Sequence, residues 1–393
     1  MDFKVPFSPR SQKYTEEEIK IVTETMRDAP TLTQGEKLRA FQEDFSKKMG
    51  VEHCFAVNSA TSALELCAQL CQFEAGDEFI CPSHTYTATA YPFIKAGGTP
   101  KWADIDIKTR VVNLDTIKAV ATEKTKAIIV VHLYGLFCPE MREIAEYARN
   151  NGYILIEDVA QAIGTSFEGT NEIAGSFGDF SVFSFHSHKN ITTLGEGGML
   201  VVRNSATAEI IPLLRHNGHC AWTEPRQDYW KPAMGNVDLP SFNDQLMIPN
   251  NYCIGEVECA LGSALLGRVD EINAEKRRRA IDFIDNCSNT DLIEFYRVDN
   301  KSHNYHLLVA KINNGLRDDF IRKMSQEKSV QCVVQYYPLN RYNLYAKLGF
   351  DKADCPNADN FFDNMVSFPF NHHLSDTDIG YVLEAANEIL DQF

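Results

Sequence analysis

The stretch FSFHSHKNITTLGEGG, residues 183–198, places a lysine between a short apolar run and a glycine-rich segment. This order predicts a strand followed by a sharp turn, with Lys189 at the turn. A lysine amine becomes nucleophilic when burial or neighbouring charges lower its pKa, and it can then form a Schiff base. The same residues also fit a surface lysine on a glycine-rich hairpin, so the stretch alone leaves both interpretations open.

A second stretch, GYILIEDVAQAIG at residues 152–164, favours the reactive lysine. Its apolar residues 153–156 predict a buried strand, and Asp158 lies at the carboxyl end of that strand. Ligands of open α/β sheets bind at such ends. An aspartate there can hold a protonated pyridine nitrogen while a lysine holds the aldehyde carbon of pyridoxal phosphate (PLP), which is the pairing that this cofactor needs.

These two stretches, together with Gly178-Asp179 between them, resemble the DegT/DnrJ/StrS family of PLP-dependent sugar aminotransferases in the order and spacing of their motifs. The resemblance extends from about residue 10 to the end of the chain. It implies the fold-type I aspartate aminotransferase architecture. In this α/β fold a mostly parallel central sheet has helices on both faces, and a smaller C-terminal α/β domain follows.

The pattern of the rest of the chain is consistent with that architecture. Apolar segments, separated by helical ones, predict strands at residues 54–58, 78–82, 102–106, 127–132 and 179–185. Near-continuous apolar strands that alternate with helices are typical of a parallel sheet covered on both faces. We therefore predict a large PLP-binding domain with an N-terminal arm over residues 1–265 and a small C-terminal domain over residues 266–393.

The turn after the first of these strands, Ser59-Ala-Thr-Ser-Ala63, leads directly into a helix. In this geometry free N–H groups and the positive end of the helix can meet a phosphate, although an ordinary helix cap has the same pattern. The family usually has Ser-Gly-Thr here, and this chain has Ala60 in place of the glycine. Because alanine still offers its backbone N–H, the resemblance implies phosphate contacts from Ala60 and Thr61.

The resemblance also implies the roles of the other residues in this chain's own site. Lys189 is the catalytic residue and holds PLP, and Asp158 contacts the pyridine nitrogen. Ser184 helps to bind the phosphate. Tyr86 and Gln161 border the pyridine ring and its hydroxyl group.

One further cofactor contact is expected to come from a second copy of the chain. The resemblance implies that Asn251, with Asn250 as the alternative, reaches the phosphate of the neighbouring subunit. Such sharing requires at least a homodimer. The chain departs from the family pattern at two positions: Cys253 replaces the usual Arg, and Asn340 replaces a frequent His. Both positions concern contacts with the substrate or between subunits.

Composition and charge exclude several classes of protein. The chain has 393 residues, of which 44% are hydrophobic, and its net charge of −16 argues against the basic stripe of a nucleic-acid-binding protein. Its 11 cysteines include no Cys-x-x-Cys pair. The N-terminal residues MDFKVP contain no apolar signal region, and no apolar run has the length of a membrane span. We expect a cytoplasmic protein without a nucleic-acid or membrane partner. No metal is expected, because His186, His188, His216 and His219 lack nearby carboxylates or cysteines at zinc-site spacing.

The resemblance implies an aminotransferase that moves an amino group from L-glutamate to a keto sugar in bacterial surface-polysaccharide or lipopolysaccharide biosynthesis. A branch of the family that performs dehydration has histidine in place of the lysine, and Lys189 therefore favours transamination. As the substrate we expect the octulosonate that becomes 8-amino-3,8-dideoxy-manno-octulosonate. The alternative is a nucleotide-linked 4-keto- or 3-keto-6-deoxyhexose, and a non-catalytic regulator on the same fold is a further alternative. Arg215, Arg226 and Lys231 can bind either the carboxylate of the octulosonate or the diphosphate of a nucleotide sugar.

Overall fold

The computed structural model describes residues 2–7, 10–219, 239, 241–351 and 353–393. Strands within these residues form two sheets. In chain order the strands are β1 (His53–Val57), β2 (Glu78–Pro82), β3 (Thr99–Ala103), β4 (Thr125–Val131), β5 (Ile154–Asp158), β6 (Phe180–Ser184), β7 (Gly198–Val202), β8 (Ile293–Glu294), β9 (Leu308–Ile312) and β10 (Met365–Phe368).

Helices occupy most of the segments between and around these strands. In chain order they are α1 (Glu16–Asp28), α2 (Glu36–Met49), α3 (Ala60–Cys71), α4 (Tyr91–Lys95), α5 (Leu114–Lys118), α6 (Met141–Asn151), α7 (Ser205–Arg215), α8 (Glu256–Gly267), α9 (Val269–Asp285), α10 (Arg317–Lys328), α11 (Asn343–Lys347), α12 (Pro356–Asn364) and α13 (Asp376–Leu390). Thr15 and Ser375 close capping boxes at the starts of α1 and α13, which explains where these helices begin. Within the described ranges, no helix has both the length and the apolar character needed to cross a membrane.

The large sheet has the strand order β1-β7-β6-β5-β4-β2-β3. Neighbouring strands from β3 across to β6 pair in parallel, and β7 pairs antiparallel with both β6 and β1. All residues of β6 and β7 are buried, as expected for a sheet that is covered on both faces. Because β7 is reversed relative to both of its neighbours, β1 runs in the same direction as the parallel strands.

The carboxyl ends of β1, β5 and β6 consequently lie at one edge of the large sheet. β5 ends at Asp158 and β6 ends at Ser184, while α3 begins at Ala60, just after the end of β1. Lys189 lies in the loop that leads from β6 to β7. The topology therefore gathers the chemically interesting residues of distant segments at one place.

The small sheet has the order β10-β9-β8 and is antiparallel. It packs around a second hydrophobic core that includes Phe283, Phe320 and Phe368. Val5 of the N-terminal arm belongs to this second core and bridges to Val330. The arm thus connects the start of the chain to its C-terminal part, and the predicted domain division between residues 265 and 266 stays a prediction.

The predicted fold class is confirmed: the protein is α/β, with a mostly parallel central sheet and a small C-terminal sheet. Two local predictions were wrong. β3 lies at Thr99–Ala103, earlier than expected, because it pairs with β2 in that register. The sequence from Asn250 to Leu266 also predicts one continuous helix, but α8 begins only at Glu256, because Asn251 forms an isolated bridge with His216 and Gly255 is extended.

Candidate active site

A cavity of about 450 Å³ opens at the sheet edge where β1, β5 and β6 end. This volume lies within the range of small-molecule binding sites. The cavity is lined by most of the candidate site residues, namely Ala60, Thr61, Tyr86, Asp158, Gln161, Ser184 and Lys189. The fold therefore brings these residues together, whereas Asn251 lies outside the cavity of its own chain.

Lys189 projects from the turn after β6 and is partly exposed to the cavity. Its N–H donates a hydrogen bond to the carbonyl oxygen of His186 (2.8 Å), which closes the turn. Burial lowers the pKa of Lys189 to about 8, and the carboxylates of Asp158 and Glu196 act against this shift. A lysine with a lowered pKa in a cavity is a candidate nucleophile, and the surface-hairpin interpretation is wrong.

The lowered pKa leads to a prediction about Lys189 in the protein without a cofactor. Acylating reagents attack only the neutral amine, and the neutral fraction rises as the pH rises through the pKa. Labelling of Lys189 should therefore reach half of its maximal rate near pH 8, instead of near the ordinary lysine value of about 10.4. Mass spectrometry of labelled peptides over a pH series measures this rate. A midpoint at the ordinary value would contradict the buried environment of Lys189.

Asp158 lies at the end of β5 and is 5% exposed. Its Oδ2 accepts a hydrogen bond from Thr89 Oγ1 (2.8 Å), and its Oδ1 accepts one from the N–H of Ala160 (3.1 Å). Burial raises the pKa of Asp158, although these two hydrogen bonds and the charge of Lys189 act against it. A raised pKa means that burial destabilises the negative charge of Asp158, so a further cation in the cavity would stabilise the carboxylate.

Glu157, the neighbour of Asp158, points to the other side of the strand, as successive residues of a strand do. Its carboxylate accepts hydrogen bonds from the N–H groups of Phe177 (2.6 Å) and Gly178 (2.6 Å) and lies 3.0 Å from His132 Nε2. Burial acts to raise the pKa of Glu157, but the bonds from His132 and the backbone outweigh it and lower this pKa. Glu157 therefore fixes the loop before β6, and Asp158 is the carboxylate of β5 that faces the cavity.

The start of α3 forms the opposite end of the cavity. Ser59 caps the helix by accepting a hydrogen bond from the N–H of Ser62 (3.1 Å), and Ala60 and Thr61 line the cavity beside Ser184. A Cβ at Gly198 would lie 2.5 Å from the carbonyl carbon of Ser59, so only glycine lets β7 approach the helix start this closely. This end of the cavity has the geometry of an anion site.

Tyr86 and Gln161 lie between these two ends. Tyr86 is 57% exposed, and its ring lies 6.0 Å from the ring of Tyr336 in an edge-on arrangement. Gln161 Nε2 donates a hydrogen bond to the Tyr336 hydroxyl (2.9 Å), and Gln161 Oε1 accepts one from the N–H of Tyr134 (2.6 Å). Tyr336 was not predicted as a site residue, although it begins the segment Tyr336-Tyr-Pro-Leu-Asn340, in which Asn340 departs from the family pattern. Asn340 itself does not line the cavity and donates to the carbonyl oxygen of Ala353 (3.2 Å).

Other lining residues come from segments for which no function is predicted from the sequence. The N-terminal arm contributes Phe7 and Ser11, and the C-terminal part contributes His306 and Phe370. Ser11 Oγ donates a hydrogen bond to the carbonyl oxygen of Lys189 (2.5 Å), so the arm contacts the lysine turn directly. No local pattern in the sequence marks these residues, because each of them reaches the cavity only through the tertiary fold.

Histidines and one carboxylate line the cavity near the lysine. His186 Nε2 lies 3.6 Å from Glu196 Oε1, and the rings of His186 and His188 are in edge-on contact. Burial lowers the pKa of both histidines, and the charge of Lys189 contributes in each case. Within the described ranges, no group of three or more metal-binding side chains is placed to hold a metal ion.

Asn251 is exposed on the surface of the chain. Its Oδ1 accepts only a long hydrogen bond, from the N–H of Cys253 (3.5 Å). By contrast, Asn250 Nδ2 donates to Gln69 Oε1 (3.0 Å) in its own chain. Asn251 is thus the better placed of the two for a contact with a second copy, and that contact stays a prediction.

Known proteins were compared with the chain in sequence and in structure. The model of the DegT/DnrJ/EryC1/StrS aminotransferase family matches residues 12–387. The chain belongs to this family. It is 32% identical over 389 residues to the spore coat polysaccharide biosynthesis protein SpsC of Bacillus subtilis (95% of this chain, 94% of that protein). It is 31% identical over 363 residues to the GDP-perosamine synthase of Caulobacter vibrioides (89% of each).

A solved member of this structural class is similar along the whole chain. The PLP form of the putative sugar aminotransferase Spr1654 from Streptococcus pneumoniae has a TM-score of 0.83 and 26% identity, and the match covers 100% of this chain and 99% of that one. The predicted family, the fold-type I architecture and the PLP cofactor are therefore confirmed. The protein is a PLP-dependent enzyme of a family of sugar aminotransferases.

The cavity of this DegT/DnrJ/EryC1/StrS aminotransferase fits PLP. The cofactor needs an amine for its aldehyde carbon, an acid for its pyridine nitrogen and an anion site for its phosphate. Lys189 supplies a buried amine, and Asp158 supplies a buried carboxylate whose pKa is raised. The helix start at Ala60 and the side chain of Ser184 border the same space. These three groups lie around one cavity, in an arrangement that matches the chemistry of PLP.

Arg215, one of the basic residues expected to bind the substrate, does not line the cavity. Arg215 is 5% exposed, and its Nη1 donates to the carbonyl oxygen of Ala56 (2.7 Å) and to Gln42 Oε1 (2.9 Å). The prediction that Arg215 binds substrate in its own chain was therefore wrong, because the guanidinium holds α7 against β1. Arg226 and Lys231 lie outside the described residues.

Proposed function

We propose that this aminotransferase moves an amino group from L-glutamate to a keto sugar, with Lys189 as the catalytic residue. The observation that carries the proposal is the placement of Lys189, Asp158 and the start of α3 around one cavity. When PLP is bound, its ring withdraws electrons from the bond that is broken at the carbon carrying the amino group. Within this chain, the two half-reactions then need a base, an acid and a fixed position for each reactant.

Lys189 is the base and the acid of the proposed reaction. In the first half-reaction its amine takes the proton from the α-carbon of glutamate and would pass it to the carbon of the cofactor that carried the aldehyde. In the second half-reaction it would take that proton back and give it to the carbon of the keto sugar that becomes aminated. A pKa of about 8 suits both tasks near neutral pH. Asp158 holds the proton of the pyridine nitrogen, and Ala60, Thr61 and Ser184 hold the phosphate.

The active form is proposed to be a homodimer in which Asn251 contacts the phosphate of the partner's site. Support comes from the exposed position of Asn251 beside the bridge to His216, outside the cavity of its own chain. In a two-fold dimer the same contact occurs twice. Asn251→Ala should therefore weaken PLP retention while the dimer stays intact.

Subunit exchange tests this contact. A hybrid of an Asn251→Ala subunit and a Lys189→Ala subunit has one site with both native residues and one site with both changes. PLP retention and activity should therefore recover in about half of the sites of the hybrid. Exchange has to be verified independently, for example with differently tagged subunits. A mixture that shows only the average of its two parents would mean that Asn251 acts within its own chain.

For the substrate we propose a nucleotide-linked keto sugar. The support is the resemblance to GDP-perosamine synthase, which is named for a sugar linked to a nucleotide. Arg215 supports neither this substrate nor the octulosonate expected from the sequence, because its guanidinium donates to other groups of its own chain. The octulosonate has no comparable resemblance in its favour. It stays a competing candidate, because the regions that contain Arg226 and Lys231 are not described.

A substrate screen separates these candidates. The purified protein with PLP and L-glutamate is incubated with keto sugars that carry a nucleoside diphosphate, with the same sugars without it, and with the octulosonate aldehyde. Formation of 2-oxoglutarate measures turnover. Turnover restricted to nucleotide-linked sugars supports the proposal, and turnover restricted to the octulosonate would replace it. Retention of PLP without turnover of any amino donor would instead favour the regulator alternative.

A further inference from the structure

Lys276 is a buried lysine of α9 that the proposed reaction does not use. It is 2% exposed, although its charge would ordinarily be hydrated. Its Nζ donates hydrogen bonds to Asn190 Oδ1 (3.0 Å) and to the carbonyl oxygen of His306 (2.9 Å). The ammonium also lies 5.5 Å from the ring centre of Phe370. All of these contacts involve neutral groups on segments that form the cavity.

Each contact of Lys276 holds a different part of the cavity wall. Asn190 directly follows Lys189, while His306 and Phe370 line the cavity. A single side chain therefore links the lysine turn to two walls that come from the C-terminal part of the chain.

Asn190 is bound to α9 at a second point. Its Nδ2 donates to Asn273 Oδ1 (2.8 Å), and Asn273 Nδ2 donates to the carbonyl oxygen of Ile163 (2.8 Å). On the other side of the turn, Ser11 Oγ donates to the carbonyl oxygen of Lys189 (2.5 Å). The residue after the catalytic lysine thus has its side chain fixed by two residues of one helix.

The buried position of Lys276 is energetically costly. Burial lowers the pKa of Lys276 to about 7, and the charge of Arg279 adds to this shift. An apolar side chain of similar volume would avoid that cost and pack equally well. The hydrogen bonds that only a long amine can make to Asn190 and His306 therefore offer a physical reason for a lysine at this position.

We propose that Lys276 is a positioning residue that fixes the turn of Lys189 against the His306 and Phe370 walls, an inference that rests on the proposed role of Lys189. Proton transfer by Lys189 requires its amine to be placed within hydrogen-bonding reach of the reacting carbon. A displacement of about 1 Å can slow such a step by about a hundredfold. Lys276 touches neither reactant, so it acts only through the segments that it holds.

The test compares Lys276→Met with Lys126→Met in the full chain carrying PLP. Lys126 Nζ also donates to a backbone carbonyl oxygen, that of Gln72 (2.6 Å), but it does not line the cavity. Conversion of bound PLP to pyridoxamine phosphate by L-glutamate is followed in a single turnover. Lys276→Met should slow this conversion by about 10- to 100-fold and leave the apparent affinity for glutamate within about threefold. Lys126→Met should match the wild type.

Hydrogen exchange provides a readout that does not depend on activity. Without PLP, the backbone N–H groups of residues 185–195 should exchange about tenfold faster in Lys276→Met than in the wild type, because the turn opens more often. Exchange in β4 and β5 should not change. A conversion rate within about twofold of the wild type, or unchanged exchange in the turn, would overturn the inference.

Asn190→Leu serves as the second variant, because its side chain has a similar branched shape but lacks both the acceptor of Lys276 and the donor to Asn273. If Lys276 acts through Asn190, the double variant should be no slower than Asn190→Leu alone. If the slowing of the conversion in the double variant equals the product of the slowing in the two single variants, Lys276 acts through groups other than Asn190. If Lys276→Met fails to fold, a wild-type rate in Asn190→Leu overturns the inference. A wild-type protein that does not react with glutamate contradicts the proposed function instead, and the exchange experiment still tests Lys276.

Discussion

Lys189→Ala is expected to lower the rate of transamination by about 10²- to 10⁴-fold, the usual contribution of a positioned acid or base. The physical reason is that the turn after β6 brings one amine with a pKa of about 8 into the cavity. No other lysine or arginine among the described residues lines that cavity. Water and the histidines nearby lack both the position and the nucleophilicity to replace the amine.

The variant should nevertheless fold, because removing Lys189 relieves the burial of an amine. It should still bind pyridoxamine phosphate, since Ser184 and the start of α3 are unchanged. The measurement combines steady-state turnover with binding of pyridoxamine phosphate, and Lys126→Ala serves as the matched lysine control at the amino end of β4. Turnover in Lys189→Ala close to that of the control would show that another group performs the proton transfer.

Asp158→Asn is expected to lower the rate by about a hundredfold or more, as the loss of a key charge-stabilising group does. Asparagine keeps the shape of the side chain and an acceptor for Thr89, so stability should change little. It cannot supply the negative charge that keeps the pyridine nitrogen protonated. The loss should therefore fall mainly on kcat rather than on binding of PLP.

Asp179→Asn is the matched control for this variant. Asp179 lies in the same sheet, just before β6, and Asp179 Oδ2 accepts a hydrogen bond from the N–H of Leu155 (2.9 Å). It does not line the cavity, and its replacement should leave kcat unchanged. An Asp158→Asn enzyme as fast as Asp179→Asn would mean that a different acid contacts the nitrogen.

The sequence predicts much of the cavity because parallel strands end at the same edge of a sheet. Asp158 and Ser184 end buried strands, and Lys189 follows one of them, so a correct strand pattern is enough to place them together. Ala60 belongs to the same edge for a less obvious reason. Its strand, β1, runs with the others only because β7 between them is reversed.

The residues that the sequence did not predict lie where local patterns carry little information. Ser11 and His306 reach the cavity from segments far from Lys189 in the chain, and nothing in their immediate sequence indicates a cavity. Lys276 stands in a strongly charged helix, where a lysine is expected to face solvent. For Arg215 the charge suggested a site for a ligand, but its guanidinium instead holds α7 against β1.

The central claim is that Lys189 holds PLP and that the bound cofactor exchanges amino groups. The most direct test is the absorbance spectrum of the purified protein reconstituted with PLP, recorded before and after the addition of L-glutamate. We expect a band of lysine-bound cofactor that disappears with glutamate, while pyridoxamine phosphate and 2-oxoglutarate form in equal amounts. The Lys189→Ala variant should lack that band. A wild-type protein that binds PLP without this band, or that keeps it unchanged with every amino donor tried, would contradict the account.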